Sequence, residues 1–181
     1  MKMKILLVTL CTIAVSSIFA QPKETTGQAS DGKPRIGTYD SRAIAVAFAG
    51  SPTFKTWMDE LKAEHAQAKA SGDKKRVAAL EAEGQARQRL LHMQGFSTAP
   101  VTNILERIRA KLPVIQKKAN VSAFVSKWDT DELARHTDSE RIDVTTLLID
   151  ALEPNARQRK YAAEIQAQKP VPLKQATNIH D

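Results

Sequence analysis

The chain has 181 residues, with 27 basic and 20 acidic side chains and a formal net charge of +7. Its single cysteine, Cys11, excludes an internal disulfide framework and a structural site made of several thiolates. Five Phe, two Tyr and two Trp offer few platforms on which single-stranded nucleic acid could stack, so we expect no nucleic-acid partner.

The first twenty residues are typical of a secretory signal peptide. Basic Lys2 and Lys4 precede an uncharged apolar run that ends at the small residue Ala20, which predicts cleavage after Ala20 and a periplasmic or secreted location. Retention as a membrane anchor is the alternative, although the run is shorter than the roughly 20 apolar residues of a membrane span. Cys11 lies too early, and follows Leu10, for lipid attachment. Without residues 1–20 the chain keeps 25 basic and 20 acidic residues, a net charge of +5, which favours acidic or anionic partners.

The next part of the chain runs from a linker into a strand and a helix. Residues 21–33, "QPKETTGQASDGK", are polar and aperiodic and predict a disordered linker. Arg35–Tyr39 predicts a short strand. The Asp40-Ser41-Arg42 sequence that follows stands where many enzymes keep catalytic groups. However, no base lies nearby in the sequence and no Gly-x-Ser-x-Gly elbow is present. We therefore interpret these residues as a helix cap with a salt-bridging arginine.

A helical hairpin is the clearest pattern in the chain. Ser51 followed by Pro52 is a typical helix start, and Asp73 predicts the N-cap of a returning helix after a break at Ser71-Gly72. We expect the two helices to form an arm over about residues 52–93. Gly84 weakens the second helix. The first helix carries an apolar seam: Phe54, Trp57, Met58, Leu61, His65 and Ala68.

Strands and helices alternate in the remainder of the chain. We expect a helix capped by Thr98, bent at Pro113 and stopped by Asn120. Strands are predicted over 121–127 and 141–144, separated by a polar loop over 128–140, and Thr145 should cap the helix after the second of them. Residues 155–181 predict a solvated C-terminal helix and a flexible tail.

Two segments resemble the Skp/OmpH family of periplasmic chaperones. "RIGTYDSRAIAVAF" is similar to the first strand and helix of that family, and "VSAFVSK" stands where the family has its penultimate strand. The stronger similarity is "RIDVTTLLIDAL", which resembles the closing family element Asp-Ile-Thr-x-x-Val-Ile-x-x-Leu. The matching positions are Asp143, Val144, Thr145, Leu148, Ile149 and Leu152. The resemblance identifies residues 34–154 as a Skp/OmpH-like domain.

This resemblance implies a fold and a function. The fold would be α+β and mostly helical, with a small antiparallel sheet formed from both chain ends and a protruding antiparallel helical hairpin. The protein would be a homotrimer that holds unfolded outer-membrane or envelope proteins. We expect no enzymatic activity, no cofactor and no use of ATP, because the sequence has no Gly-rich phosphate loop. The arms are shorter than those typical of the family, and residues 155–181 have no clear counterpart in it.

Seven residues are candidates for binding a client or partner. The basic hairpin tip would attract anionic surfaces, although a loop end can be polar for solubility alone. The aromatic part of the seam would be core if it packs, or an interaction strip if it stays open. The alternative function is a non-enzymatic envelope adaptor that binds one defined partner or an anionic membrane surface. The tip candidates are Lys69, Lys74, Lys75 and Arg76, and the seam candidates are Phe54, Trp57 and Met58.

His65 and His92 lie on opposite arms of the hairpin and could face each other. A metal site needs at least three ligands, and the neighbouring residues do not supply them. We therefore expect no metal site.

Overall fold

A computed structural model describes residues 32–176. The predicted signal peptide and nearly all of the predicted linker lie outside these residues. Every element described below belongs to the unit that begins at Lys33. Within residues 32–176, no helix combines the length and apolar character that crossing a lipid bilayer demands.

The sheet has three strands, and all of them are parallel. Strand β1 (Arg35–Tyr39) is central, with β2 (Phe124–Ser126) on one side and β3 (Glu140–Asp143) on the other. Both neighbours run in the same direction as β1, so the predicted antiparallel sheet is wrong. The long helical connection between β1 and β2 returns the chain to the end at which β1 began, and such crossovers produce parallel strands.

Gly37 marks the centre of the sheet. It lies opposite Phe124 on one side and Ile142 on the other. A Cβ atom at this position would approach a methyl group of Val144 to 2.9 Å. Glycine therefore leaves room for the side chain of Val144 to pack closely on the sheet.

Nine helices occur within the described residues. They are α1 (Ser41–Phe48), α2 (Pro52–Ala70), α3 (Lys74–Phe96), α4 (Thr102–Arg107), α5 (Leu112–Ala119), α6 (Thr130–Ala134), α7 (Thr145–Leu152), α8 (Ala156–Gln166) and α9 (Leu173–Ala176).

Three predicted helix starts are confirmed by their hydrogen bonds. The side chains of Asp40, Ser51 and Asp73 each accept a hydrogen bond from a backbone N–H in the first turn of α1, α2 and α3. These bonds satisfy N–H groups that have no partner inside the helix, which is why short polar residues are favoured there.

The predicted helix from Thr98 to Asn120 is instead two helices. α4 begins at Thr102 without a side-chain cap, and α5 begins at Leu112, so Pro113 lies in the first turn of α5. Proline is tolerated there because its missing N–H is not needed in a first turn. Asn120 ends α5 in the left-handed conformation, with φ of 51°, and the predicted stop is confirmed.

Two further predictions after β2 are wrong. The predicted polar loop over 128–140 contains α6, which Asp129 caps by accepting the N–H of Glu132. Thr145 is the first residue of α7 and not its cap. Its hydroxyl accepts a hydrogen bond from the backbone N–H of Asp40 at 3.0 Å. This bond joins the start of α7 to the residue between β1 and α1.

The main core is formed by helices that pack against the sheet and against each other. α1 lies at its centre, with α7, α8 and the amino-terminal part of α4 around it. The predicted solvated helix therefore packs on the body as α8, because Ala162 is fully buried. Burial of each large apolar side chain contributes roughly 1.5–3 kcal/mol. The largest fully buried apolar members are Ile44, Phe48, Val101, Ile104, Val144, Leu148 and Leu152.

Candidate functional site

Helices α2 and α3 form an antiparallel hairpin with its own apolar interior. Leu61 and Ala68 of α2 and Leu80 of α3 are buried together, with Met58 and Val77 at the edges. This cluster is separate from the main core. The apolar seam of α2 therefore faces α3, and the outer faces of the distal hairpin carry exposed polar residues.

The four basic candidates lie together at the tip of the hairpin and are all exposed. Arg76 pairs with Glu64 on the facing helix. Lys69, Lys74 and Lys75 make no ion pair with any residue that the structure describes. The structure thus leaves three ammonium groups uncompensated at one end of the arm.

Two of these lysines do not help the helix that carries them. Lys74 and Lys75 are the first two residues of α3, where the helix dipole is positive and favours acidic side chains. A basic side chain in the first turn of a helix lowers the stability of that helix by roughly 0.3–1 kcal/mol at low salt. Their position in the first turn of α3 therefore does not stabilise that helix.

The aromatic candidates join the hairpin to the body. The rings of Phe54 and Trp57 lie 5.3 Å and 6.0 Å from the ring of Phe48, which is buried in the main core. Arg87 and Arg107 stack on the Trp57 ring at 4.2 Å and 4.5 Å from its centroid. These contacts favour the core interpretation, because the apolar surface of both aromatic residues is largely used inside the protein.

Met58 is the third member of the aromatic seam. It packs against the separate cluster inside the hairpin and is only partly exposed. The structure therefore divides the seam between two packed regions, and no open strip of the kind expected for an interaction surface runs along α2.

An apolar groove lies at the base of the hairpin. It has a volume of about 440 Å³ and runs between α1, α3 and α8. Phe96 and Tyr161 border it and are 46% and 41% exposed. The lining also includes Val46, Leu91 and Ile165.

A solvated helix after residue 155 and an arm that ends at residue 93 do not predict this groove, because its walls are α8 and the end of α3. The pattern of Tyr161, Ala162 and Ile165, at helical spacing on one face, is the signal that predicts an apolar side of α8.

Asp40 and Arg42 form a buried ion pair at the end of β1. The two carboxylate oxygens accept hydrogen bonds from Arg42 at 2.9 Å and 3.2 Å, and neither side chain is exposed. Lys127 contacts the same carboxylate at 2.7 Å and the indole N–H of Trp128 donates to it at 3.2 Å. Burial alone would raise the pKa of Asp40, but the hydrogen bonds from Arg42, Lys127 and Trp128 outweigh it and lower that pKa.

The buried pair is structural. The remaining terminal nitrogen of Arg42 donates to the backbone oxygen of Gln168 at 3.0 Å, so the pair connects β1 and α1 to the segment after α8.

The Ser41 hydroxyl is fully buried and has no hydrogen-bond partner among residues 32–176. A nucleophile needs an adjacent base and access to substrate, and Ser41 has neither. The geometry agrees with the predicted cap and salt bridge.

The two hairpin histidines do not face each other. His65 contacts Glu81 across the hairpin at 3.3 Å, whereas the His92 ring lies 5.9 Å from that of Phe96 beside the groove. In the described part of the chain, no three His, Cys, Asp or Glu side chains are grouped so that they could hold a metal ion.

Comparison of the chain with protein-family profiles, curated protein sequences and solved structures finds no match. The Skp/OmpH resemblance therefore rests on the residues quoted for it and stays a prediction.

Proposed function

We propose that this protein is an ATP-independent holdase of the periplasm or extracellular space, which binds unfolded outer-membrane or envelope proteins. The location follows from the predicted signal peptide over residues 1–20. The activity would need no cofactor, because holding a chain against aggregation requires contacts and no chemical step.

The observation that carries this proposal is the cluster of ammonium groups of Lys69, Lys74 and Lys75, which have no ion pair within residues 32–176, on a hairpin whose distal apolar residues pack against each other. Such an arm is stable without a partner and still presents a concentrated positive charge. That charge attracts acidic chains or anionic surfaces over a distance of about one Debye length, roughly 10 Å at 0.1 M salt.

Apolar contact would come from the groove at the base of the hairpin. The exposed rings of Phe96 and Tyr161 border an apolar surface that a short hydrophobic segment of an unfolded protein could cover. Weak contacts at the groove together with charge attraction at the tip suit a holdase, since it must bind many sequences and release them.

The experiment is an aggregation assay with several unrelated unfolded outer-membrane barrels, diluted from denaturant with and without the protein. We expect suppression of aggregation for all of them at low salt and weaker suppression at high salt. Failure with every barrel would contradict the proposal.

An envelope adaptor is the second candidate, and it has the same exposed tip in its favour. An adaptor would bind one folded partner or vesicles with anionic headgroups, and would leave the aggregation of unrelated barrels unchanged. Vesicles with and without anionic lipid, tested beside the barrels, separate these outcomes.

A homo-oligomer, with three subunits by family resemblance, is part of the proposal. The edge strands β2 and β3 each have one side that no other strand of the described chain covers, and such edges can pair between copies. Mass measurement in solution tests this part, and a stable monomer would remove it.

A further inference from the structure

A second cleft, with a volume of about 470 Å³, lies at the carboxyl ends of β1 and β2. Tyr39 and Ser126, the last residues of these strands, line it together with the loop into α6 and the connection between α3 and α4. In proteins with parallel strands, ligands bind preferentially at this edge of the sheet. The parallel strands therefore indicate a candidate ligand site at this cleft, which the predicted antiparallel sheet does not.

The cleft is acidic on a chain that is basic overall. Asp129, Asp131 and Glu132 line it. Glu132 is paired with Arg135 at 2.8 Å and lies 3.4 Å from His136.

The other two carboxylates are not neutralised. Within residues 32–176, Asp129 accepts only the backbone N–H of Glu132, and Asp131 is exposed and makes no ion pair. The basic residues at the same end of the sheet, Arg42 and Lys127, are both held by Asp40. Two negative charges thus face the cleft without a basic partner in the described part of the chain.

Tyr39 supplies an independent observation. Its side chain is only 8% exposed and lines the cleft, yet its hydroxyl has no hydrogen bond to any residue in the described ranges. Burial, and then the negative charge of Asp129, raise the pKa of Tyr39 to about 12, so the hydroxyl stays protonated close to that carboxylate. The hydroxyl oxygen is not one of the fully buried unpaired atoms of the described residues, so it remains accessible from the cleft that Tyr39 lines.

We propose that this cleft binds an organic cation with N–H donors, namely a primary ammonium group on an alkyl stem. The carboxylates of Asp129 and Asp131 and the Tyr39 oxygen would accept its three N–H groups. Phe124 and Pro100, which also line the cleft, offer apolar surface for the methylene stem. The ammonium could belong to a lysine of a bound polypeptide or to a free alkylamine. This inference does not depend on holdase activity.

The test is a titration followed by NMR of the backbone amides of residues 124–132 in the full-length protein. The probes are n-butylammonium, lysine inside a short peptide blocked at both ends, and the same peptide with the lysine acetylated. We expect saturable shifts with both cationic probes and none with the acetylated peptide. Tighter binding of the lysine peptide assigns the site to polypeptides, and tighter binding of n-butylammonium assigns it to free amines.

Three variants connect the binding to the named groups. Asp129→Asn and Asp131→Asn should each weaken binding about tenfold, and Tyr39→Phe about threefold, as expected for losing a charged or a neutral hydrogen bond. Asparagine caps helices as well as aspartate does, so Asp129→Asn removes the charge and keeps the start of α6. Asp73→Asn makes the same change at the hairpin tip and should leave binding unaltered.

The proposal is overturned by any of three results. These are no saturable response to the cationic probes in the millimolar range, an equal response to the acetylated peptide, or wild-type affinity in both aspartate variants. Both aspartates are exposed, so these two variants decide the matter even where Tyr39→Phe disturbs folding.

Discussion

The guanidinium of Arg42 donates to the carboxylate of Asp40 at 2.9 Å, and neither side chain is exposed to solvent. Taking two charges out of water is costly, and their mutual attraction compensates only when the remaining hydrogen bonds are also made. Here Lys127, Trp128 and the Gln168 carbonyl make them. The buried Asp40–Arg42 pair therefore holds together the end of β1, the start of α1 and the segment after α8.

We expect Asp40→Asn to lower the free energy of unfolding by on the order of 3 kcal/mol, because the variant leaves the Arg42 guanidinium buried without its counter-charge. Asparagine preserves the helix cap, so the loss reports the charge. Urea unfolding followed by circular dichroism measures it. Asp59→Asn, at an exposed pair with Lys55, is the matched control and should change stability little.

The same pair predicts a pH dependence. The pKa of Asp40 is lower in the folded protein than the ordinary value of 3.8, so the folded state binds this proton less tightly than the unfolded chain does. The stabilisation is fully present above that ordinary value and is lost as the pH falls through the lowered pKa of the folded state. The stability difference between wild type and Asp40→Asn should shrink as the pH falls below the ordinary value of 3.8, and a constant difference would contradict the assignment.

Two glycines should respond in opposite ways to substitution by alanine. A Cβ atom at Gly84 would lie 3.5 Å from Leu61, which is an ordinary contact, so Gly84→Ala should stabilise α3 by roughly 0.5–1 kcal/mol through helix propensity. At Gly37 the Cβ atom would lie 2.9 Å from Val144. Gly37→Ala should destabilise by roughly 1–3 kcal/mol through overpacking. Thermal unfolding of the two variants beside wild type measures both.

Charge reversal at the hairpin tip should weaken client or vesicle binding. Replacing Lys74, Lys75 and Arg76 by Glu reverses three of the four positive charges at the tip, and acidic residues suit the first turn of α3, so stability should change little. The variant Lys74→Glu with Lys75→Glu keeps the Arg76–Glu64 pair. It therefore separates the loss of positive charge from the loss of that ion pair.

The control for the double tip variant is Lys117→Glu with Lys118→Glu, which makes the same charge change in the last turn of α5. Its binding should stay close to that of the wild type. Equal weakening by the tip and control variants would assign the attraction to net charge alone, and unchanged binding in the tip variants would remove the electrostatic part of the proposed function.

Removing the exposed rings of the basal groove should reduce suppression of aggregation at high salt, where the tip charges are screened. Phe96→Ala combined with Tyr161→Ala is the variant. The two side chains are 46% and 41% exposed, so we expect a smaller loss of stability than for a core aromatic residue. Val114→Ala, at a residue that is 69% exposed on α5, serves as the control. Wild-type suppression by the double variant would exclude the groove as a client surface.

Local features could be predicted from the sequence because they depend on neighbouring residues. Asp40, Ser51 and Asp73 cap helices, since a short polar side chain at these positions reaches the N–H groups one turn ahead. Asn120 ends α5 because it tolerates the left-handed conformation. The seam of α2 follows the helical period, and its inner part packs on α3 as that period requires.

The direction of the strands required the tertiary structure. Short apolar runs predict a strand but carry no information on whether its neighbour is parallel, because both arrangements use the same alternation of side chains. The direction was set by the crossover through five helices between β1 and β2. The acidic cleft could not be predicted from the sequence either. Tyr39 and Asp129 are 90 residues apart in the sequence and come together only where the parallel strands end.

By itself the sequence determined the starts of α1, α2 and α3, the end of α5, the absence of an internal disulfide from a chain with one cysteine, and the basic residues at the end of the arm. Only the tertiary structure decided that α8 covers α1, that the aromatic seam is used in packing, and that the Asp40 carboxylate gathers Arg42, Lys127 and Trp128. The physical reason is range. Capping and helical period act over one turn of the chain, whereas burial and charge pairing depend on residues that only the folded backbone brings together.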